Sequence, residues 1–476
     1  NFAKYVIIRV CKKPNILAFG GDFFMVTRKE KREKEKEVNY LFELLKTQNH
    51  FFKNLNKLLK DVDDPRHQSY ITYDTEVLLM MVILKNACNL KSMREMTNEF
   101  NKEECIKNVG KWLGNEDLEE LPHYDTINDF LSRLNPAELE RIRIDMIKKL
   151  FKKRCFESYR INGKYWGIAI DGTGIFTFDK KHCEHCLRRV YKYTDKETGE
   201  EKIKTIYMHH VLEAKLIVGN MVLSVASEFI ENESEDVEKQ DCELNAFYRL
   251  TARLKDTFKK LPICLIADSL YACENVFKQC KANNWNYLFR FKEDRIKSIT
   301  DEFQALKNME EEEGKKANVV KIRESEQRGE ITWVNDIDYR GFGVNVFECE
   351  LEDEKRKQKF TFITDIKITK NNAKKLMNAG RSRWRIENEG FNRQKNLRYH
   401  IEHASSQDYN AMKNHYLLTQ ITEIIMVLHE HGSKILRSMK KTIKEISSRL
   451  LEAFRGQTLT DEDIAQLGKP MQIRFT

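Results

Sequence analysis

No window of the chain approaches the ~20 consecutive apolar residues that a membrane-spanning helix needs, so no membrane partner is expected. Asn1 to Phe24 is mildly apolar but carries scattered Lys and Arg and lacks a small-residue cleavage site, which argues against a secretory signal. A large excess of one charge sign is missing too. The formal net charge is +9 over 476 residues, so where the charge sits says more than its total. No internal repeat is evident. The eleven cysteines are scattered, several of them in apolar strand contexts such as Cys264 and Cys349, and they read as reduced thiols of a cytoplasmic protein.

What is present is ample material for buried cores: 41% hydrophobic and 10% aromatic residues, in a chain longer than a usual single domain. Met25 to Val38 alternates bases with Glu, so residues 1–38 are expected to form a leader of little structure. Residues 39–160 carry helical periodicity, as in Glu76 to Leu84 and Ala137 to Phe156. From Lys164 the pattern changes to short apolar runs: Tyr165–Ile170, Val211–Val218, Met221–Phe229, Ile263–Ala267 and Tyr287–Phe291. Gly219-Asn220 forms a hairpin-type turn, and helices are predicted over Glu238–Lys260 and Cys273–Asn283. This order predicts an α/β core with a mixed sheet, its first part over 161–315. Residues 316–365 read as a β insertion. Residues 366–430 return to helix as the second part of the core, and 431–476 form a basic helical tail.

Two apolar strands run into lone aspartates, Asp171 after Ile170 and Asp268 after Ala267. An acid at such a place is costly without a partner, and strand ends of open α/β sheets are where sites form. If the two strands are neighbours, the carboxylates lie side by side and call for divalent cations with a taste for hard oxygen, Mg²⁺ or Mn²⁺. A third acid follows from helix phase. At ~100° per residue, Met377, Trp384 and Phe391 share one face and Ile386 and Leu397 flank it, with Glu387 between them, pointing toward the sheet. Glu389 falls among Arg385, Asn392 and Arg393 on the solvated side. Trp384 is expected as a buried anchor in the helix–sheet packing.

The string Arg383-Trp384-Arg385-Ile386-Glu387 resembles the Tyr-x2-Arg-x3-Glu-x6-Lys signature of bacterial insertion-sequence DDE transposases. That resemblance, over roughly Tyr165 to His429, implies an RNase H-like mixed-sheet catalytic core carrying a β insertion. It makes Asp171, Asp268 and Glu387 the catalytic and metal-holding residues for two Mg²⁺ or Mn²⁺ ions. The implied partners are double-stranded DNA, as inverted repeats at element ends and as target, and a second copy of the chain in the DNA complex. The implied location is the bacterial cytoplasm, at the nucleoid. Gly380 stands in the place of the signature's tyrosine and Gln394 in that of its lysine, with Lys395 one residue late. Arg383, Arg385, Lys395 and Arg398 are the expected DNA-binding bases, Arg398 as the substitute near Glu387.

In the helical part, Arg141, Arg143, Lys148, Lys149, Lys152, Lys153 and Arg154 supply further bases, without helix-turn-helix spacing. Cys183 and Cys186, in a Cys-x2-Cys with neighbouring histidines, have zinc-like spacing. No second such pair follows and His209-His210 is the one evident complement, so free thiols rather than zinc are expected. Competing functions are an RNase H-like nuclease that does not transpose, and a domesticated or inactive DNA-binding protein.

Overall fold

Every residue from Thr75 to Ala87 is buried, and a helix that is apolar all round must be enclosed on all sides. The enclosing elements come from both ends of the sequence. In this computed structural model residues 38–469, 473 and 475 are described, except 68, 70, 196–197, 235–238, 313–317, 324–327 and 353–356. The leader expected over 1–38 therefore lies outside the described residues, save its last. Among the described residues seven α-helices precede the sheet: α1 (Tyr40–Phe52), α2 (Leu55–Lys60), α3 (Thr75–Ala87), α4 (Met93–Phe100), α5 (Glu103–Leu113), α6 (Tyr124–Arg133) and α7 (Pro136–Lys153). Four of them, α1, α3, α6 and α7, pack with strand β4 (Met221–Ile230) on the 24-residue α12 (Tyr409–Gly432). Asn410 and Asn414 on α12 donate to the carbonyls of Leu131 and Leu134 at the end of α6. Helix α14 (Ile443–Gly456) returns to α1 and α5, where Asn108 Nδ2 donates to the carbonyls of Phe454 and Gln457 at 3.0 and 2.7 Å.

The sheet holds ten strands. Its centre is β4–β3–β1–β5–β6, formed by β1 (Trp166–Phe178), β3 (Glu201–Val218), β5 (Ile263–Ala267) and β6 (Asn286–Phe291) with β4. The first three strands are antiparallel, while β5 and β6 run parallel to β1. This is the RNase H-like arrangement that the sequence predicts, with the Gly219-Asn220 turn joining β3 to β4 through Val218 and Met221. The strands over 316–365 do not break the sheet. β7 (Val319–Arg323), β8 (Arg328–Tyr339), β9 (Phe342–Glu352) and β10 (Lys357–Thr364) extend it, with β10 pairing antiparallel to β6. Cys264 and Ile266 of β5 share one core with Trp333, Phe347, Phe362, Leu376 and Met377, so insertion and centre fold as one body.

Two differences from the expected elements matter. Strand β1 does not stop at Asp171 but continues to Phe178. Its parallel partner β5 does stop, so beyond that level the β5 side of β1 is open. The hairpin of β2 (Leu187–Thr194) with the first half of β3 has no alternating apolar pattern, because β2 is almost wholly exposed and has no core to face.

Candidate active site

The parallel register pairs Ala169 with Ile266. Carried on by two residues, it sets Asp171 opposite Asp268, where the two strands part. Asp268 follows β5 and caps a short 3₁₀ turn (Ser269–Tyr271), accepting from the Leu270 amide at 2.7 Å. That turn is held from outside by Arg295, which donates to the carbonyls of Leu270 and Ala272 at 2.6 and 3.1 Å.

Glu387 arrives on a helix of unusual kind. α11 (Ala373–Arg381) ends, Ser382 and Arg383 form a turn, and residues Ile386–Leu397 wind as a π-helix. A π-helix closes its hydrogen bonds five residues apart and tends to occur at functional sites; Arg398 N donates to Arg393 O at 2.8 Å in that pattern. Ile386 and Phe391 seat it on the sheet against Ala169, Ile217 and Val222. The break and the wider turn void the phase of one continuous α-helix. Trp384 is therefore 60% exposed instead of buried, and the Glu387 side chain, 48% exposed, does not point into the core. Glu389, expected on the solvated side, is half-buried.

Glu387 is nevertheless linked to Asp171. Arg383 spans the two groups, bonding Asp171 Oδ2 at 3.2 Å and Glu387 Oε1 at 2.8 Å. Burial pushes the Asp171 carboxyl up to about 7. Arg383 opposes this, while Glu387, Glu243 and Asp268 add to it by repulsion. All the donors are hard oxygens, which fits divalent cations of the Mg²⁺ type.

Glu243 is a fourth acid that the sequence did not single out. It opens α8 (Glu243–Phe258) and accepts from Tyr271 Oη at 2.6 Å. Burial raises its pKa, with repulsion from Asp268 adding to the effect. A methyl group on Gly172, the residue after Asp171, would stand 2.9 Å from Glu243 Oε2. An acid in a first helical turn reads as a dipole partner; only the fold brings it to Asp171.

The bases divide. Arg383 lies in the site. Arg385 is tied to the β3–β4 turn, bonding the Gly219 carbonyl and Asn220 Oδ1. Lys395 pairs with Glu402 at 2.9 Å. Arg398, expected near Glu387, is instead fully buried, ion-paired with Glu430 at 2.7 Å and donating to Ser447 Oγ at 2.8 Å. Arg393, expected on the solvated face, is buried as well, paired with Glu423 and Glu430. In the helical part Arg143 is buried and bonds Ser224 and Ser227 of β4, and Lys149 pairs with Asp145. Gln394, in the signature's lysine position, is buried and bonded to Gln420, which also receives Lys215 Nζ at 3.1 Å.

Gly380, in the tyrosine position, has no room for a side chain: a Cβ there would stand 2.6 Å from Phe362 Cε1. Gly380→Ala is expected to destabilise the chain by about 1–3 kcal/mol through overpacking. An unchanged urea midpoint would contradict that packing.

Beside the carboxylates opens a cleft of about 700 Å³ lined by Asp268, Arg290, Lys292, Lys359, Arg383 and Trp384. It is basic on its walls and acidic at the end where Asp268 lies. Among the described residues no helix is long and apolar enough to cross a membrane.

A search among curated proteins returned no match. Two family models do match: DDE_Tnp_1-associated over residues 57–146, and Transposase DDE domain over residues 162–422, more than half of the chain. The second takes in Asp171, Asp268 and Glu387 together with the strands and helices that carry them, and the first lies within the helices that enclose α12. The chain belongs to the DDE transposases of the insertion-sequence kind, enzymes of polynucleotidyl transfer with DNA as substrate.

Proposed function

We propose that the chain moves its own insertion sequence by cutting DNA strands at the element ends and joining the freed 3′-hydroxyl to a target, with Asp171, Asp268 and Glu387 as the catalytic carboxylates. The observation that supports this is Arg383 bridging Asp171 and Glu387, with Asp268 and Glu243 near enough to repel the Asp171 carboxylate, at the level where β1 and β5 part. The same residues would hold two Mg²⁺ or Mn²⁺ ions, which when bound supply Lewis-acid activation of the phosphodiester and of the attacking oxygen. Arg383 keeps Asp171 and Glu387 together, and its guanidinium lies within the site, where it would face the phosphate. Arg290, Lys292, Arg381 and Lys359 neutralise the strand entering the cleft, so binding weakens steeply with salt. A second copy of the chain takes the other element end, making the DNA complex a homodimer.

Purified protein with DNA carrying the inverted repeats that flank its coding region will nick the element ends only when Mg²⁺ or Mn²⁺ is added. Metal-independent nicking, or none on any flanking sequence, would overturn the reading. Trp384, exposed at the cleft mouth, is placed to stack on an unpaired base, an interaction of about 1–3 kcal/mol. Trp384→Ala is thus expected to weaken binding to end DNA about tenfold while the fold holds, as followed by fluorescence anisotropy. Equal affinity would remove Trp384 from the interface.

A further inference from the structure

Immediately after β1, the segment Lys181 to Cys186 makes a tight turn, with Cys186 N donating to Cys183 O, before β2 begins at Leu187. Strand β3 brings His209 against it from a position paired with Phe176. Among the described residues, Cys183, Cys186 and His209 are the one group of three or more side chains of metal-ligating type whose ligand atoms all lie within 4.8 Å of one another, closer than the carboxylates of the active site.

The separations are specific. The two sulfurs lie 3.8 Å apart, and each is 3.5 Å from His209 Nε2. A tetrahedral ion with Zn–S of about 2.3 Å and Zn–N of about 2.0–2.1 Å requires S···S of about 3.8 Å and S···N of about 3.5 Å. A disulfide would instead need sulfurs about 2.0 Å apart. The surroundings are dry: His209 and Cys186 are buried, Tyr409 stacks on His209 with ring centres 4.1 Å apart, and Ile175, Phe176 and Val211 belong to the same cluster. His209 Nδ1 has no hydrogen-bond partner.

We propose that Cys183, Cys186 and His209 bind a structural zinc ion. Soft thiolates with imidazole in tetrahedral spacing select zinc over the hard ions suited to the carboxylates. The ion's task follows from its position at the root of the β2–β3 hairpin. That hairpin leaves Val190, Tyr191, Tyr193 and Ile203 exposed and lacks a core of its own. Asn232, donating to the Cys186 carbonyl at 2.9 Å, ties the same turn to the end of β4. A metal at this point fixes the hairpin's departure angle where packing cannot.

The test uses the full chain purified without a histidine tag and dialysed against metal-free buffer after one equivalent of Zn²⁺. Elemental analysis is expected to find about one tightly held zinc per chain. Cys183→Ser with Cys186→Ser should lose it. Replacement by Co²⁺ in the unaltered chain should give thiolate-to-cobalt charge-transfer absorption and tetrahedral visible bands, which the all-oxygen carboxylate centre cannot produce. These readouts need no variant to fold and no DNA cleavage, so they stand apart from the transposition reading. An unaltered chain that retains no zinc, a cobalt form without thiolate bands, or a Cys183–Cys186 disulfide in place of the metal would each overturn the proposal.

Discussion

Asp268→Ala is expected to bind end DNA as tightly as the unaltered chain and to cleave it about a thousandfold more slowly, a loss of about 4 kcal/mol of transition-state stabilisation. The reasoning rests on charge. Asp268 sits across from Asp171 at the end of the parallel pairing, and its repulsion is one cause of that neighbour's raised pKa. Removing it leaves the basic cleft walls intact and takes away a negative group, so affinity for a polyanion does not fall. Asp268 also caps the 3₁₀ turn through the Leu270 amide, and alanine would lose that bond. Asp268→Asn serves as the matched control, since its side-chain oxygen still accepts the bond while the charge is gone. Both variants should be equally inactive in a Mg²⁺-dependent nicking assay. Persistent cleavage by Asp268→Asn would sink the carboxylate assignment.

Glu430→Gln is expected to cost about 3–5 kcal/mol of stability at neutral pH, the range for removing one partner of a buried ion pair. The Glu430 carboxylate, at 8% side-chain exposure, receives Arg393 and Arg398, both at 2.7 Å. The substitution leaves the buried Arg398 without its paired carboxylate and Arg393 with Glu423 alone. Although burial alone would raise its pKa, the two arginines bring it down to about 2. A depressed carboxylate stabilises the fold above its unfolded pKa of about 4.3, and that contribution disappears as the pH falls toward 2. The gap between the variant and the unaltered chain in urea denaturation should be full at pH 7 and shrink below about pH 4. A gap independent of pH would assign the loss to packing instead. Because Arg393 and Arg398 anchor the C-terminal end of the π-helix that carries Glu387, the variant should also nick DNA more slowly at temperatures where it stays folded.

Both aspartates were legible because each ends an apolar run whose partner strand is equally apolar, and the parallel β1–β5 pairing follows from that. Glu387 is singled out by the Arg-Trp-x-Ile-Glu string, although the phase of a continuous α-helix does not apply to it. Nothing in Ser382 announces a break, since serine is tolerated inside helices, and a π-turn leaves no period in so short a segment. The basic stretch from Arg393 to Arg398 read as a DNA-facing surface because its acids, Glu423 and Glu430, lie on α12, a helix otherwise recognisable only as apolar. Glu243 was hidden for the same reason: its partners are distant in sequence and close only across the fold. The exposed β2–β3 hairpin escaped because strands without a core face carry no alternation.

The burial of α12 against α1, α3, α6 and α7 also sets an order of events. Leu131 and Leu134, near the end of α6, have their carbonyls met by Asn410 and Asn414, and α3 is covered only when α12 is in place. During synthesis more than 250 residues separate these partners. The helical region thus emerges first from the ribosome yet finishes folding only after the catalytic sheet has been made. Its long-range contacts favour slow closure. Fragments that stop before residue 409 will expose the apolar faces of α3 and α6 and be cleared or aggregate, so premature termination yields no DNA-binding competitor of the full enzyme.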